Sequence, residues 1–256
     1  MTVDLTRQLS RRTLGTETVL ILGLTLGQSA VYAVVSIIAK LTAEGGLSQQ
    51  TAALNTTASP RPYLDLTYQL LGIAFALLPV LFAVHLVNRD PGDALRTLGL
   101  DARRPGSDLA RGAGLAALMG LPGLVLFWAA AQLGLNATLV PAALRDYWWA
   151  VPVLILAAVK NAVLEEVIVV GYLVTRLRQL QWRFWTIIAT SAVLRGSYHL
   201  YQGFGAFVGN VVMGVVFTYF FMRTRRVMPL VVAHTLIDIV AFVGYALLPR
   251  EWFDWL

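Results

Sequence analysis

Seven long apolar stretches, separated by short polar segments, organise the chain. They run at about 18–41, 63–88, 112–135, 147–175, 184–201, 204–222 and 229–248. Each is long enough to cross a bilayer, which takes roughly 20 apolar residues as a helix. In hydrocarbon every backbone N–H and C=O must be paired internally, so a spanning segment is helical or part of a closed barrel. The short alternating segments of a barrel, about ten residues each, are missing. The pattern therefore predicts an all-α, polytopic transmembrane bundle of about seven spans. The polar stretch at 43–62, rich in Thr, Ser and Gln, reads as an exposed outer connection.

Basic residues give this bundle a direction. Arg7, Arg11 and Arg12 precede the first span; Arg89, Arg96, Arg103, Arg104 and Arg111 follow the second. Arg176, Arg178 and Arg183 flank the turn after the fourth, and Arg223, Arg225 and Arg226 follow the sixth. The alternate segments carry only Lys40, Arg61, Arg145 and Arg250. By the positive-inside rule the N-terminus is cytoplasmic and the C-terminus outside. The first apolar run is longer than a signal-peptide core, so it is expected to be a retained helix. The expected division is a cytoplasmic segment at 1–17, a three-span region at 18–135, a four-span core at 145–248 and a tail at 249–256.

Composition narrows the function classes. Hydrophobic residues make up 57% of the 256 and charged residues 13%, against about 25% charged in a soluble domain. That deficit excludes a water-facing surface of this size, and the lipid bilayer is the expected partner. The net charge of +6 lies in short loops, so nucleic acid is not an expected partner. The absence of cysteine excludes disulfides and thiolate chemistry. Arginine in excess of lysine, with abundant Ala, Leu and Val, points to a GC-rich bacterial source and hence to a bacterial inner membrane. Trp148, Trp149, Trp182 and Trp185 sit at span ends, where such rings anchor in the headgroup layer. Gly205 and Gly209 form a small-residue pair suited to close helix packing. Asp65 and His85 lie near the ends of the second span, within reach of water.

The last four spans carry charges that a lipid-facing helix avoids. A charge at the bilayer centre costs roughly 2.5–3.5 kcal/mol on insertion scales. Yet Lys160, Glu165, Glu166, Arg195, His199, Asn210, His234 and Asp238 all fall inside these spans. Such residues face a bundle interior or a wet cavity and are functional by default. Their spacing brings them together. Glu165 lies 17 residues before Trp182, in the turn of the fourth and fifth spans, and His199 lies 17 after it. A constant helical rise puts both at one depth. Arg195 and His199 share a helix face, as do His234 and Asp238, each pair being four residues apart. A return of the sixth span onto the seventh brings Asn210 near the depth of Asp238. A carboxylate and an imidazole at one level can take a proton from a shared water. A second imidazole opposite can stabilise the oxyanion formed when that water attacks a carbonyl. Zn²⁺ accepts the same ligand types, but the compact His-Glu-x-x-His signature is missing.

Four segments in these spans resemble motifs of the CAAX protease and bacteriocin-processing family, also called the Abi family, which includes the type II CAAX prenyl endopeptidases. They are LEEVIVVGYLVTRLRQL, SAVLRGSYHLYQG with His199, GAFVGNVVMGVVFTYFF with Asn210, and VVAHTLIDIV with His234 and Asp238. The resemblance covers about residues 145–245. It implies an intramembrane endopeptidase in which Glu165 activates water with His199, while His234 and residue 238 stabilise the oxyanion. Glu166, Arg195 and Asn210 are supporting residues on this reading. It implies a metal-free glutamate mechanism; if a divalent metal such as Zn is bound, Glu165, His199, His234 and Asp238 are its expected ligands. The expected substrate is a membrane-associated peptide or protein.

The chain departs from the family pattern at three places. Val170 stands where the family usually has Arg, Arg195 where it has an aromatic residue, and Asp238 where Asn is frequent. The first two read as one change, with Arg195 supplying the guanidinium that pairs with Glu166. Asp238 cannot donate a hydrogen bond when ionised; it serves by orienting His234, by being protonated or by binding a metal. Two other functions use the same residue types. One is a proton-coupled transporter, although inverted repeats and broken helices are missing. The other is an inactive scaffold or immunity-type protein.

Overall fold

The computed structural model describes residues 9–249 and 251, which excludes Arg7 and Arg250 of the charge pattern. It is nearly all-α. A bent pair, α1 (Arg11–Gly23) and α2 (Leu26–Thr42), is followed by α3 (Pro62–Ala76) and α4 (Leu78–Val87). A short α5 (Ala94–Leu98) leads into the long α6 (Pro105–Gln132). Next come α7 (Ala150–Glu165), a π-helical segment Glu166–Tyr172, and α8 (Leu173–Gln179). The chain ends with α9 (Phe184–His199), a 3-10 turn Leu200–Gln202, α10 (Phe204–Thr224) and α11 (Met228–Leu247).

Among the described residues four helical stretches are long and apolar enough to cross a membrane, and the α1–α2 pair, bent by 49°, makes a fifth if counted as one span. The fourth and fifth apolar runs fall short for a local reason. Helix α7 holds α-geometry for 16 residues before its backbone widens into the π segment. Helix α9 also runs 16 residues, ending at His199. The two helices that fall short carry Lys160, Glu165, Arg195 and His199, while His234 and Asp238 lie on α11, which is long and apolar enough to span.

One strand pair interrupts the helical pattern. The outer connection holds β1 (Thr51–Ala53), paired in parallel with β2 (Thr138–Val140). The 43–62 connection is therefore partly ordered by pairing with a segment nearly ninety residues later. Beside it, Asn136 Oδ1 accepts the Gly205 N–H at 3.0 Å, capping α10, and Lys40 Nζ donates to the Tyr201 carbonyl at 2.7 Å. Together they fix the turn that follows His199. Gly203, with φ of 126°, lies so close to this strap that a Cβ there would meet Asn136 Cα at 2.5 Å.

The segment 165–177 is buried on every side and forms the axis of the bundle. Its run of β-branched residues, Val167 to Val170, has modest helix propensity and packs into the main core with Leu98, Phe217, Phe221, Val227 and Leu230. Helices α9 and α10 pack at close range: a Cβ on Gly214 would meet Ala192 Cα at 2.6 Å, and one on Gly196 would meet Val211 at 2.5 Å. Gly205 and Gly209 both face α6, with Ala130 and Leu126 as their nearest neighbours. Helix α6 packs along both α10 and α11. It takes the place of the direct α10–α11 hairpin that the short basic turn led one to expect.

Two single-residue expectations change. Trp149 is 2% exposed, with its ring 5.1 Å from that of Tyr147, so it is a core residue and not a headgroup anchor. Trp148, Trp182 and Trp185 are exposed. Asp65 is 0% exposed because its carboxylate accepts the Ala58 N–H at 2.7 Å; it orders the outer connection instead of reaching water.

Candidate active site

Helices α7, α9 and α11 bring most of the unexpected charges into one cluster. Glu165 closes α7 and Glu166 opens the π segment, so the backbone changes geometry between the two carboxylates. Such π-helical insertions are frequent at functional sites. Ser191 ties α9 to this segment by donating to the Val169 carbonyl at 2.9 Å, and it accepts from Thr218 on α10.

Glu166 lies on the sealed side. It is 0% exposed, as is Arg195, and the two form a salt bridge. This is the pairing expected from the sequence. His234 Nδ1 lies 2.7 Å from the same carboxylate oxygen. A guanidinium edge and an imidazole N–H thus share one acceptor, which fixes both side chains.

Glu165 lies on the side that opens outward. Its Oε2 accepts the Tyr198 hydroxyl at 2.8 Å and lies 3.5 Å from His199 Nε2 and 3.9 Å from Arg195 Nη2. The side chains of Glu165, His199 and Asp238 keep 11%, 18% and 16% exposure, whereas Glu166 and Arg195 keep none. The Glu165–His199 approach is close but not aligned as a hydrogen bond, and among the described residues the buried His199 Nε2 has no hydrogen-bond partner. Its Nδ1 faces Gln202 Nε2 at 3.4 Å.

Asp238 completes the outer side. One oxygen lies 3.6 Å from His234 Nε2 and the other accepts from Asn161 Nδ2 at 3.3 Å. His234 therefore faces a carboxylate at each ring nitrogen. Lys160 Nζ donates to Asn161 Oδ1, continuing the chain of contacts along α7. Asn210 does not join. Its amide donates to Ala206 one turn back on α10 at 3.0 Å, because α6 packs between α10 and α11.

Three participants were not singled out from the sequence: Asn161, Tyr198 and Gln202. Asn161 lies four residues before Glu165, and Tyr198 three after Arg195. Both spacings put a side chain on the face of a residue already flagged. Gln202 lies three after His199, on the 3-10 turn.

Zn²⁺ takes about four ligands that converge on one point at about 2.0–2.3 Å. Among the described residues no three His, Asp or Glu side chains are so arranged. The four expected ligands divide into a Glu165–His199 pair and a His234–Asp238 pair, and the Nδ1 of His234 faces Glu166. The Arg195 guanidinium lies against both glutamates, so the positive charge among them is already provided by the protein.

Fold and cluster together define a helical membrane protein with a buried carboxylate, imidazole and guanidinium site. Residues 147–240 match the family described as type II CAAX prenyl endopeptidase Rce1-like. That segment holds every residue of the cluster. No curated protein and no solved structure matches the chain.

Proposed function

We propose that this chain is an intramembrane endopeptidase of a bacterial inner membrane, acting on a membrane-associated peptide or protein through a water activated by Glu165 and His199. The observation that carries this reading is the Glu165 carboxylate facing His199 at 3.5 Å. Both are partly accessible, and both are backed by the fully buried Glu166–Arg195 pair. Geometry of this kind suits a general base, which must reach its proton directly or across one water.

The positions support the following reaction. A water between Glu165 and His199 gives a proton to Glu165 as its oxygen bonds to the substrate carbonyl carbon. Charge develops on the carbonyl oxygen. His234 donates to it from Nε2, while its Nδ1–H is held by Glu166. Asp238, fixed by Asn161, orients the His234 ring and does not itself bind the oxyanion. The tetrahedral intermediate collapses, the C–N bond breaks, and the amine leaves with the proton returned from Glu165. Arg195 stays paired with Glu166 throughout and keeps the second carboxylate ionised as an acceptor for His234.

The membrane reading extends to seven crossings with the N-terminus inside. Contacts at chain turns support it, because they alternate between two ends. Arg11 binds the Leu180 carbonyl, Arg176 binds Asp90, and Arg226 binds Asp101 and Asp108 at one end. Lys40 with Tyr201, and Arg145 with Pro60, lie at the other.

The test uses purified protein in detergent or nanodiscs with a library of membrane-anchored peptides. Wild type is expected to cleave, with activity unchanged by a chelator. Glu165→Ala is expected to lower the rate by about 10²–10⁴-fold, the usual contribution of a general base. Ion flux without cleavage would favour a transporter, and neither activity would favour a scaffold.

A further inference from the structure

The second half of the chain has a one-sided charge. Between Glu166 and Asp238 there is no Asp or Glu, but there are seven arginines: Arg176, Arg178, Arg183, Arg195, Arg223, Arg225 and Arg226. Three of them take a carboxylate from elsewhere. Arg195 uses Glu166, Arg176 uses Asp90, and Arg226 uses Asp101 and Asp108. Among the described residues no carboxylate pairs with Arg178, Arg183, Arg223 or Arg225. These four flank the α8–α9 and α10–α11 turns, at the end of the bundle that carries the Arg11–Leu180 contact.

A cavity of about 290 Å³ opens at this end, lined by Arg178, Trp182, Phe184, Ile187 and Met222. Its lining is in two parts. Arg178 and the half-exposed Trp182 stand at the rim, and Phe184, Ile187 and Met222 form an apolar floor. Arg223 is tied to the same place: it donates to the Tyr219 hydroxyl, and the Tyr219 ring stands edge-on to Phe184 at 6.1 Å. Trp185, beside Phe184, is exposed to the surroundings of the bundle.

We infer that this cavity binds an anionic phospholipid, with the phosphate on Arg178 and the first methylenes of an acyl chain over Phe184, Ile187 and Met222. Cationic pockets between membrane helices take such headgroups, and tryptophan favours that depth. Ligand pockets run from roughly 300 to 1,000 Å³, so this one holds a headgroup and the start of a chain, not a whole lipid. The unpaired arginines provide the charge that a zwitterionic headgroup would not neutralise. The site is remote from Glu165, and the inference stands whether or not the chain is a protease.

Native mass spectrometry of the full chain, released from nanodiscs of mixed phosphatidylcholine and phosphatidylglycerol, reads the occupancy. Wild type is expected to retain phosphatidylglycerol at least about fivefold over its share of the bilayer. Arg178→Gln should abolish the preference. Arg104→Gln removes the same charge from the same end but away from the cavity, and should keep it. Equal loss in both variants, or no preference in wild type, overturns the proposal. Displacement of the lipid by millimolar inorganic phosphate alone would also overturn it, because the site would then recognise a free anion.

Discussion

Arg195 and Glu166 illustrate how much a single buried pair decides. Neither has any exposure, and removing one partner of such a pair typically costs about 3–5 kcal/mol because the other is left uncompensated. Arg195→Phe is expected to destabilise by about that amount in denaturant unfolding followed in detergent micelles. Adding Val170→Arg should recover most of the loss, since Val170 lies four residues after Glu166 in the π segment and is buried beside it. If the double variant unfolds as readily as the single one, position 170 cannot supply the missing guanidinium. The same pair reaches the chemistry through His234, whose Nδ1 shares the Glu166 oxygen. At this scale the sequence spacing was informative: it put Arg195 and Glu166 together, and Glu165 beside His199. It could not say that Asp238 would take its hydrogen bond from Asn161, because that contact depends on how α7 and α11 rotate against each other.

Among the elements, the π-helical segment Glu166–Tyr172 has the largest consequence. An α-helix advances about 100° per residue, so one residue removed from the segment would restore α-geometry and rotate what precedes it relative to α8. Deletion of Val169 is therefore expected to leave the far-ultraviolet circular dichroism nearly unchanged and abolish peptide cleavage, because Glu165 would turn away from His199. Retained cleavage would show that the π geometry does not aim the carboxylate. The other elements aim the imidazoles. Helix α9 stops at His199 because the 3-10 turn is held from outside by Lys40 and by the 134–140 strap. Apolar length located the long helical stretches, but it began α6 at 112 instead of Pro105, did not separate α1 from α2 and did not foresee α5. It missed the π segment and the short strands, since neither leaves a hydrophobic period of its own.

Over the whole molecule, the helix ends are clamped by ion pairs at the basic end. Arg226, at the start of α11, binds Asp108 at 2.5 Å and Asp101 at 3.1 Å, linking α11 to the α5–α6 connection and to α6. Asp101 is held below its ordinary value of 3.8, chiefly by the Arg103 backbone N–H; burial opposes this, and Arg226 adds to the lowering. A carboxylate with a depressed value stabilises the fold above its unfolded value and loses that contribution as pH falls through the folded one. The melting temperature should therefore fall from about pH 5 to about pH 3, and less steeply in Asp101→Asn. Parallel curves would remove Asp101 from the clamp.

The sequence alone determined that the chain is helical, that it lies in a membrane, and which residues are too polar for lipid. Those are consequences of local chemistry: backbone pairing, apolar length and the cost of a charge in hydrocarbon, all readable one segment at a time. Tertiary structure decided which charges meet. Helix α6 entered between α10 and α11 and kept Asn210 out, the strap leading into β2 fixed where α9 ends, and the buried axis at 165–177 divided one glutamate from the other. Such choices depend on the rotation and register of helices far apart in the chain, and a single helix period does not encode them.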